Sequence, residues 1–481
     1  MTSTNNTTSS SSTFRGITPS EKEMKQNHPY SIWWHPGIFF LDVLFHYIFY
    51  FFVPNFKLSA EYDLTNPSPS AKELLKQIRQ TAHSSYDMQS LGHIQKWSES
   101  VKCKIVQHTV IIPLESNILE QWSIPLSAKA RELLKDNETE NQGRSVEILF
   151  TFPLSLLNNK DDAVLLLLED KPAKNGTFRL KDPTSIDMST FLSENAQTPV
   201  LVYIHGGGLT MGSNADSIAY EFGCKPSIQA GGKPIILASL KYRLAPEHTF
   251  PGPLQDLLQG TMYIFRALQK NEDCTPNLNI VGPSAGGYWA TILTMECQRK
   301  FPGLVRSALI MCPMMKPSCD SVSYFLSTHL YFPGTDWLRW CWQGYLGLPW
   351  TKAKPFPPHL SSLEKKRQHN ANTESWAESP WRQDKVLERL IDPSLDLPSN
   401  FSEAPCPEVL VTTNEGDPLR DDGYALLKAL KESHFPQDKL THVHTLGSHH
   451  FGLMFDTKTN AMDQISNWWT NILFPIKSTN S

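Results

Sequence analysis

From Pro199 onward the sequence alternates short apolar runs with segments of helical periodicity, and this rhythm limits the possible folds more than any other feature. The runs are Val200–Ile204, Ile235–Leu240, Leu278–Val281, Ser307–Cys312, Val409–Thr413 and Thr441–Leu446. Most are rich in Val, Ile and Leu and too short for helices, as strands buried on both faces are. Leu254–Leu268 and Ala285–Lys300 read as helices between them. Strand and helix in turn predict an α/β fold, a mainly parallel sheet flanked by helices. Ligands of such sheets bind beyond the carboxyl ends of the strands, so the residues just after each run matter most.

Upstream, residues 71–100 read as a helix with Leu74, Leu75 and Ile78 on one side. Ile105–Pro113, Val146–Phe152 and Ala163–Leu168 read as strands, and the polar stretch Glu169–Thr198 as a surface insertion. The segment 313–405 interrupts the alternation and is expected to form a helical cap over the carboxyl edge. It carries Phe332, Trp337, Trp340, Trp342, Tyr345 and Trp350. Most of these are expected to build the cap's own core, the rest to line an apolar pocket.

Residues 1–30 are polar and predicted to be disordered, without the pattern of a signal peptide at the very start. Residues 31–56 contain Gly37–Val53, GIFFLDVLFHYIFYFFV, preceded by Trp33 and Trp34 and ended by Pro54. As a helix this run reaches roughly 25 Å, slightly less than a bilayer's hydrocarbon core. It is a membrane-anchor candidate, spanning or monotopic; the alternatives are a cytoplasmic protein or one lying on a lipid surface. The main folded domain is expected over 57–475. Sequons stand at Asn137, Asn175 and Asn400.

A net charge of −4 from 44 basic and 48 acidic residues gives no basis for nucleic-acid binding. The eight cysteines form no CxxC pair. His442 and His444 share a strand face but lack a third ligand at metal-binding spacing, so no metal is expected. Gly206–Gly208 lacks the spacing of a dinucleotide loop, and no cofactor is expected.

Four motifs follow four of the strands. Gly282-Pro283-Ser284-Ala285-Gly286 lies between Leu278–Val281 and a helical segment, where a serine on a tight turn projects its hydroxyl and small neighbours leave room. His205-Gly206-Gly207-Gly208 follows Val200–Ile204, and its glycines allow backbone N–H groups to approach a developing oxyanion. Asp417 follows Val409–Thr413, with Asp421 and Asp422 as competitors. His449 follows Thr441–Leu446, with His450 as its competitor. Together they suggest a Ser284, Asp417, His449 triad in the chain order of a nucleophile-elbow hydrolase.

At these residues, and over roughly residues 195–475, the chain resembles the hormone-sensitive-lipase family of α/β-hydrolases. The resemblance adds KYRLAPE at 241–247 with Phe250-Pro251, GPSAGG at 282–287 and DPLRDDG at 417–423. It implies an α/β-hydrolase fold, a serine carboxylic-ester hydrolase and an oxyanion hole of Gly207, Gly208 and Ala285. It favours His449 over His450, since the family pattern is His, a small residue, then Phe. The sequence departs from the family at Pro283, usually acidic, and at bulky His450 after the favoured histidine. With the anchor candidate, it also resembles membrane-bound fungal steryl deacetylases and the arylacetamide deacetylases of the endoplasmic reticulum, which implies a place at that membrane. The implied substrate is a hydrophobic small-molecule ester, such as a sterol or other lipid acetate; acylglycerols and short aryl esters are the alternatives, and a non-catalytic ligand-binding protein of this fold a further one.

Overall fold

A computed structural model describes residues 62–475 except 158–167, 272–275, 327–333, 350–370, 402–403, 446–449 and 451–460. Its strands are β1 Ile105–Pro113, β2 Ser145–Pro153, β3 Phe178–Arg179, β4 Val200–Ile204, β5 Ile236–Leu240, β6 Leu278–Pro283, β7 Val305–Met311, β8 Glu408–Asn414 and β9 Leu440–Thr445. They form a nine-stranded sheet in the order β3-β1-β2-β5-β4-β6-β7-β8-β9. Every pairing from β5 across to β9 is parallel, whereas β2 runs antiparallel to both β1 and β5.

The principal helices are α1 Pro69–Val101, α2 Ser217–Gln229, α3 Gly252–Gln269, α4 Ala285–Lys300, α5 Thr335–Leu346, α6 Arg420–Glu432 and α7 Ala461–Leu473. Side chains alternate across a strand, so β4 feeds two cores. Val200, Val202 and Ile204 join Leu254 and Leu258 of α3, Trp289 of α4 and Leu426 of α6. Leu201 and Tyr203 face the opposite way, among Trp97 of α1, Phe222 of α2 and Trp469 of α7. Burial on both faces explains the unbroken apolar runs of the sequence.

One expectation changes upstream. The polar stretch 169–198 is more than a surface insertion: it supplies β3 and the helix Met188–Glu194, whose Met188, Phe191 and Leu192 are buried. Phe191 packs 4.5 Å from the Phe152 ring, a tertiary contact that the surrounding polar residues conceal. The sequon at Asn175 is also turned inward; its amide is buried and donates to Gln107 Oε1 at 3.4 Å. A buried amide used by the fold is no glycan acceptor.

Trp337, Trp340, Trp342 and Tyr345 of α5 are all buried, but not in a core of the cap's own: Trp342 and Tyr345 pack on Tyr288 and Trp289 of α4, and all four belong to the main core. Phe332 and Trp350 lie outside the described residues, as do the 1–30 tail and the 31–56 anchor candidate. Among the described residues no helix is long and apolar enough to cross a membrane. The seven described cysteines are free thiols.

His442 and His444 do point to one face, as their spacing requires, and both rings hydrogen-bond the Thr413 hydroxyl at 2.8 Å. Burial holds His442 down to about 3, helped by the neighbouring His444, and holds His444 down to about 4, helped by Arg420. The fold therefore favours both neutral rings. That stability is complete above the unfolded histidine value of about 6.5 and is lost as pH falls from there toward 4. Acidification from pH 7 to pH 5 should cost about 2 kcal/mol for the pair, allowing for the solvent that still reaches both rings. Urea unfolding at the two pH values measures this. A H442Q/H444Q double variant that loses just as much stability on acidification would refute it.

Candidate active site

Ser284 stands between the end of β6 and the first turn of α4, with φ 59° and ψ −121°. A serine in this left-handed region costs about 1–3 kcal/mol and persists only where its surroundings hold it. Here Ser284 N–H donates to Met311 O at 2.8 Å, and Met314 N–H donates back to Ser284 O at 3.2 Å. The turn also demands close packing. A side chain at Gly286 would collide with the backbone oxygen of Ile204, and one at Gly282 with that of Gly286. Pro283, in place of the usual acidic residue, ends β6 and pairs with Met311.

The glycine loop after β4 presses against this turn. A Cβ on Gly206 would stand 2.9 Å from Pro283 O and 3.3 Å from Ser284 Cβ. Gly207 and Gly208 both have positive φ, 106° and 59°. His205 is buried; its ring stacks on Tyr242 at 4.2 Å, and the Tyr242 hydroxyl donates to His205 O at 3.0 Å. The KYRLAPE segment is thus the backing of the glycine loop.

Arg79 of α1 adds a second brace that the sequence did not disclose. Its Nε donates to Thr210 O at 2.8 Å and a terminal nitrogen to Ala245 O at 2.9 Å, and both terminal nitrogens pair with Glu247. These residues are more than 130 positions away in sequence, so no local signal marks the contact.

Asp417 lies just beyond β8 and is fully buried. Its Oδ1 accepts Leu419 N–H at 2.9 Å, and its Oδ2 bonds His450 Nδ1 at 2.8 Å. The imidazole on Asp417 is therefore that of His450. The sequence favoured His449, a residue that lies outside the described ones. A carboxylate oxygen can only accept, so His450 Nδ1–H is the donor in this bond.

The competing carboxylates have other work. Asp422 accepts Met315 N–H at 2.9 Å, Lys316 N–H at 3.1 Å and the Tyr324 hydroxyl at 3.0 Å. Burial pushes it up to about 7. Asp421 accepts Ser323 N–H at 2.8 Å. Both fasten the chain that leaves β7. Cys312, next to Met311, was not anticipated here: its thiol, the Asp417 carboxylate and the His450 ring lie within 4.8 Å of one another. Burial and the Asp417 charge hold this sulfur firmly as a neutral thiol.

The parts converge because β6, β7 and β8 are neighbouring parallel strands, spaced about 4.8 Å apart. Ser284 follows the first, Cys312 the second and Asp417 comes three residues after the third. A serine turn, a glycine loop and a buried carboxylate–imidazole pair at one sheet edge define the nucleophile-elbow class of α/β proteins.

Comparison with known proteins agrees. Residues 201–451, more than half of the chain, match the family described as alpha/beta hydrolase fold. The protein belongs to that family, in its hormone-sensitive-lipase branch. It is similar to an ethyl acetate hydrolase of Pseudomonas putida, 33% identical over 168 residues, which are 34% of this chain and 50% of that one. It is also similar to the gibberellin receptor GID1B of Arabidopsis thaliana, 26% identical over 197 residues, 40% of this chain and 52% of the receptor. The chain thus spans about half the length of these relatives. A hyperthermophilic esterase of the archaeon Pyrobaculum calidifontis superposes with a TM-score of 0.47 at 17% identity, over 84% of this chain and 97% of the esterase.

Proposed function

We propose that this protein hydrolyses carboxylic esters of hydrophobic alcohols, with Ser284, His450 and Asp417 as its triad. The buried Asp417–His450 hydrogen bond carries the reading, because it orients an imidazole as general base at the sheet edge where the strained serine stands. Ser284 Oγ attacks the ester carbonyl while His450 Nε2 takes its proton. The tetrahedral oxyanion is met by the N–H groups of Gly207, Gly208 and Ala285, each such donor worth roughly 10²–10³ in rate. Collapse expels the alcohol, which receives the proton from His450. Water then adds to the acyl-enzyme by the same route and releases the acid. Asp417 orients the ring and stabilises its cation. No hydrogen bond to the Ser284 hydroxyl is present among the described residues. Catalytic hydrogen bonds are often long before substrate binds, and the serine–histidine contact is assigned to the substrate complex.

The favoured substrate is the acetate of a sterol or another lipid alcohol, with the apolar run at 37–53 bringing the enzyme to a membrane. The similarity to ethyl acetate hydrolase supports acetate as the acyl group. The similarity to a receptor supports one other reading, ligand binding without turnover. A screen of the full chain against sterol acetates, short aryl esters and triacylglycerols decides among them. Acetates should turn over fastest, and the chain should float with phosphatidylcholine vesicles. A ligand bound with no ester hydrolysed would establish the receptor reading instead.

A further inference from the structure

Gly208 belongs to the loop whose amides face the oxyanion, and its Cα is covered by α5. A Cβ added there would stand 2.5 Å from Trp337 Cη2, 3.0 Å from Trp337 Cζ2 and 2.8 Å from Cys341 Sγ. Trp337 is only 2% exposed. The contact is anchored elsewhere as well, since Cys341 Sγ lies 3.6 Å from the Thr210 hydroxyl on the same loop.

The helix that carries this indole has little freedom to retreat. Tyr345 O accepts Phe250 N–H at 2.7 Å, and Leu346 O accepts Trp381 Nε1–H at 2.9 Å. Trp340 Nε1–H donates to Tyr62 O at 3.2 Å. Leu338, Trp340, Cys341, Trp342 and Tyr345 are wholly buried. Packed interiors resist displacement, so the indole edge is a fixed boundary beside the oxyanion loop.

We propose that Trp337 closes the acyl side of the active site and confines this protein to short acyl groups, acetyl and propionyl. The inference rests on the hydrolase reading given above. Once the acyl oxygen is held by Gly207, Gly208 and Ala285, the remaining acyl substituent must leave the carbonyl carbon beside that loop. An acetyl methyl fits next to a fixed indole; a longer chain meets the ring. The alcohol departs on another side and is free to be large. This joins a small acyl group to a bulky apolar alcohol, the pairing found in lipid acetates.

The test is kcat/KM for p-nitrophenyl esters from acetate to decanoate, and for acetates of progressively larger alcohols, with wild type, W337A and W337F. Wild type should prefer acetate to octanoate by at least about a hundredfold, one buried methylene alone being worth about tenfold or more in discrimination. W337A vacates space on the order of the 150 Å³ cavity that admits benzene, and should lower the acetate preference at least tenfold. W337F should fall between the two, and it carries the test if W337A does not fold. The alcohol series should keep its order in all three. A wild type that prefers octanoate, or variants that hydrolyse acetate with an unchanged acyl ratio, would overturn the assignment. So would a change confined to the alcohol series. If wild type hydrolyses no ester and resists fluorophosphonate labelling, the hydrolase reading itself has failed, which is a separate result.

Discussion

Ser284→Ala is expected to abolish ester hydrolysis, by a factor on the order of 10⁶ in kcat, and to eliminate labelling by a fluorophosphonate. The loss is large because the step has no second nucleophile: without Oγ no acyl-enzyme forms, and only water activated by His450 remains. The fold should barely notice. The backbone of residue 284 is held by its N–H and carbonyl contacts to Met311 and Met314, which alanine retains. Stability should change by less than about 1 kcal/mol, within the range of mild substitutions. Chemical unfolding alongside the labelling assay separates the two effects. Continued labelling of a folded Ser284→Ala protein would place the nucleophile elsewhere.

His450→Ala should be nearly as severe, lowering kcat by about 10⁴-fold or more, whereas His449→Ala should stay within about tenfold of wild type. The asymmetry follows from the 2.8 Å bond between His450 Nδ1 and Asp417 Oδ2. Removing that ring deletes the general base and leaves the fully buried Asp417 carboxylate without its partner. Asp417→Asn, which keeps the shape but reverses the tautomer preference of the ring, should cost about 10⁴-fold. Steady-state rates on an acetate ester, read for the four variants together, test the pairing. A dead His449→Ala with an active His450→Ala would restore the assignment that family spacing suggests.

How much of this was legible before the structure depended on the range of each signal. β1 and β4 keep the boundaries read from their apolar runs, and α4 those read from its periodicity, because burial of a whole strand or helix face is written in local composition. Ser284 was legible because a left-handed turn between a strand and a helix needs glycines at fixed offsets. The histidine was not. His449 and His450 are adjacent in sequence, and it is the hydrogen bond to Asp417, 33 residues away, that singles out His450. Arg79 and Cys312 left no signal, since an arginine in a long helix and a cysteine at a strand end are commonplace until something distant meets them. The 169–198 stretch misled for the same reason: Phe191, in a polar segment, packs on Phe152, which lies 39 residues upstream.

By itself, then, the sequence determined the α/β alternation, the serine turn and the glycine loop, because these follow from backbone geometry and burial within a few residues. Tertiary structure alone decided that His450 meets Asp417, that Asp421 and Asp422 tie down the chain after β7, and that Trp337 seals the loop at Gly208. Those are distances between side chains remote in sequence, fixed by which strands lie side by side and which helices pack across them.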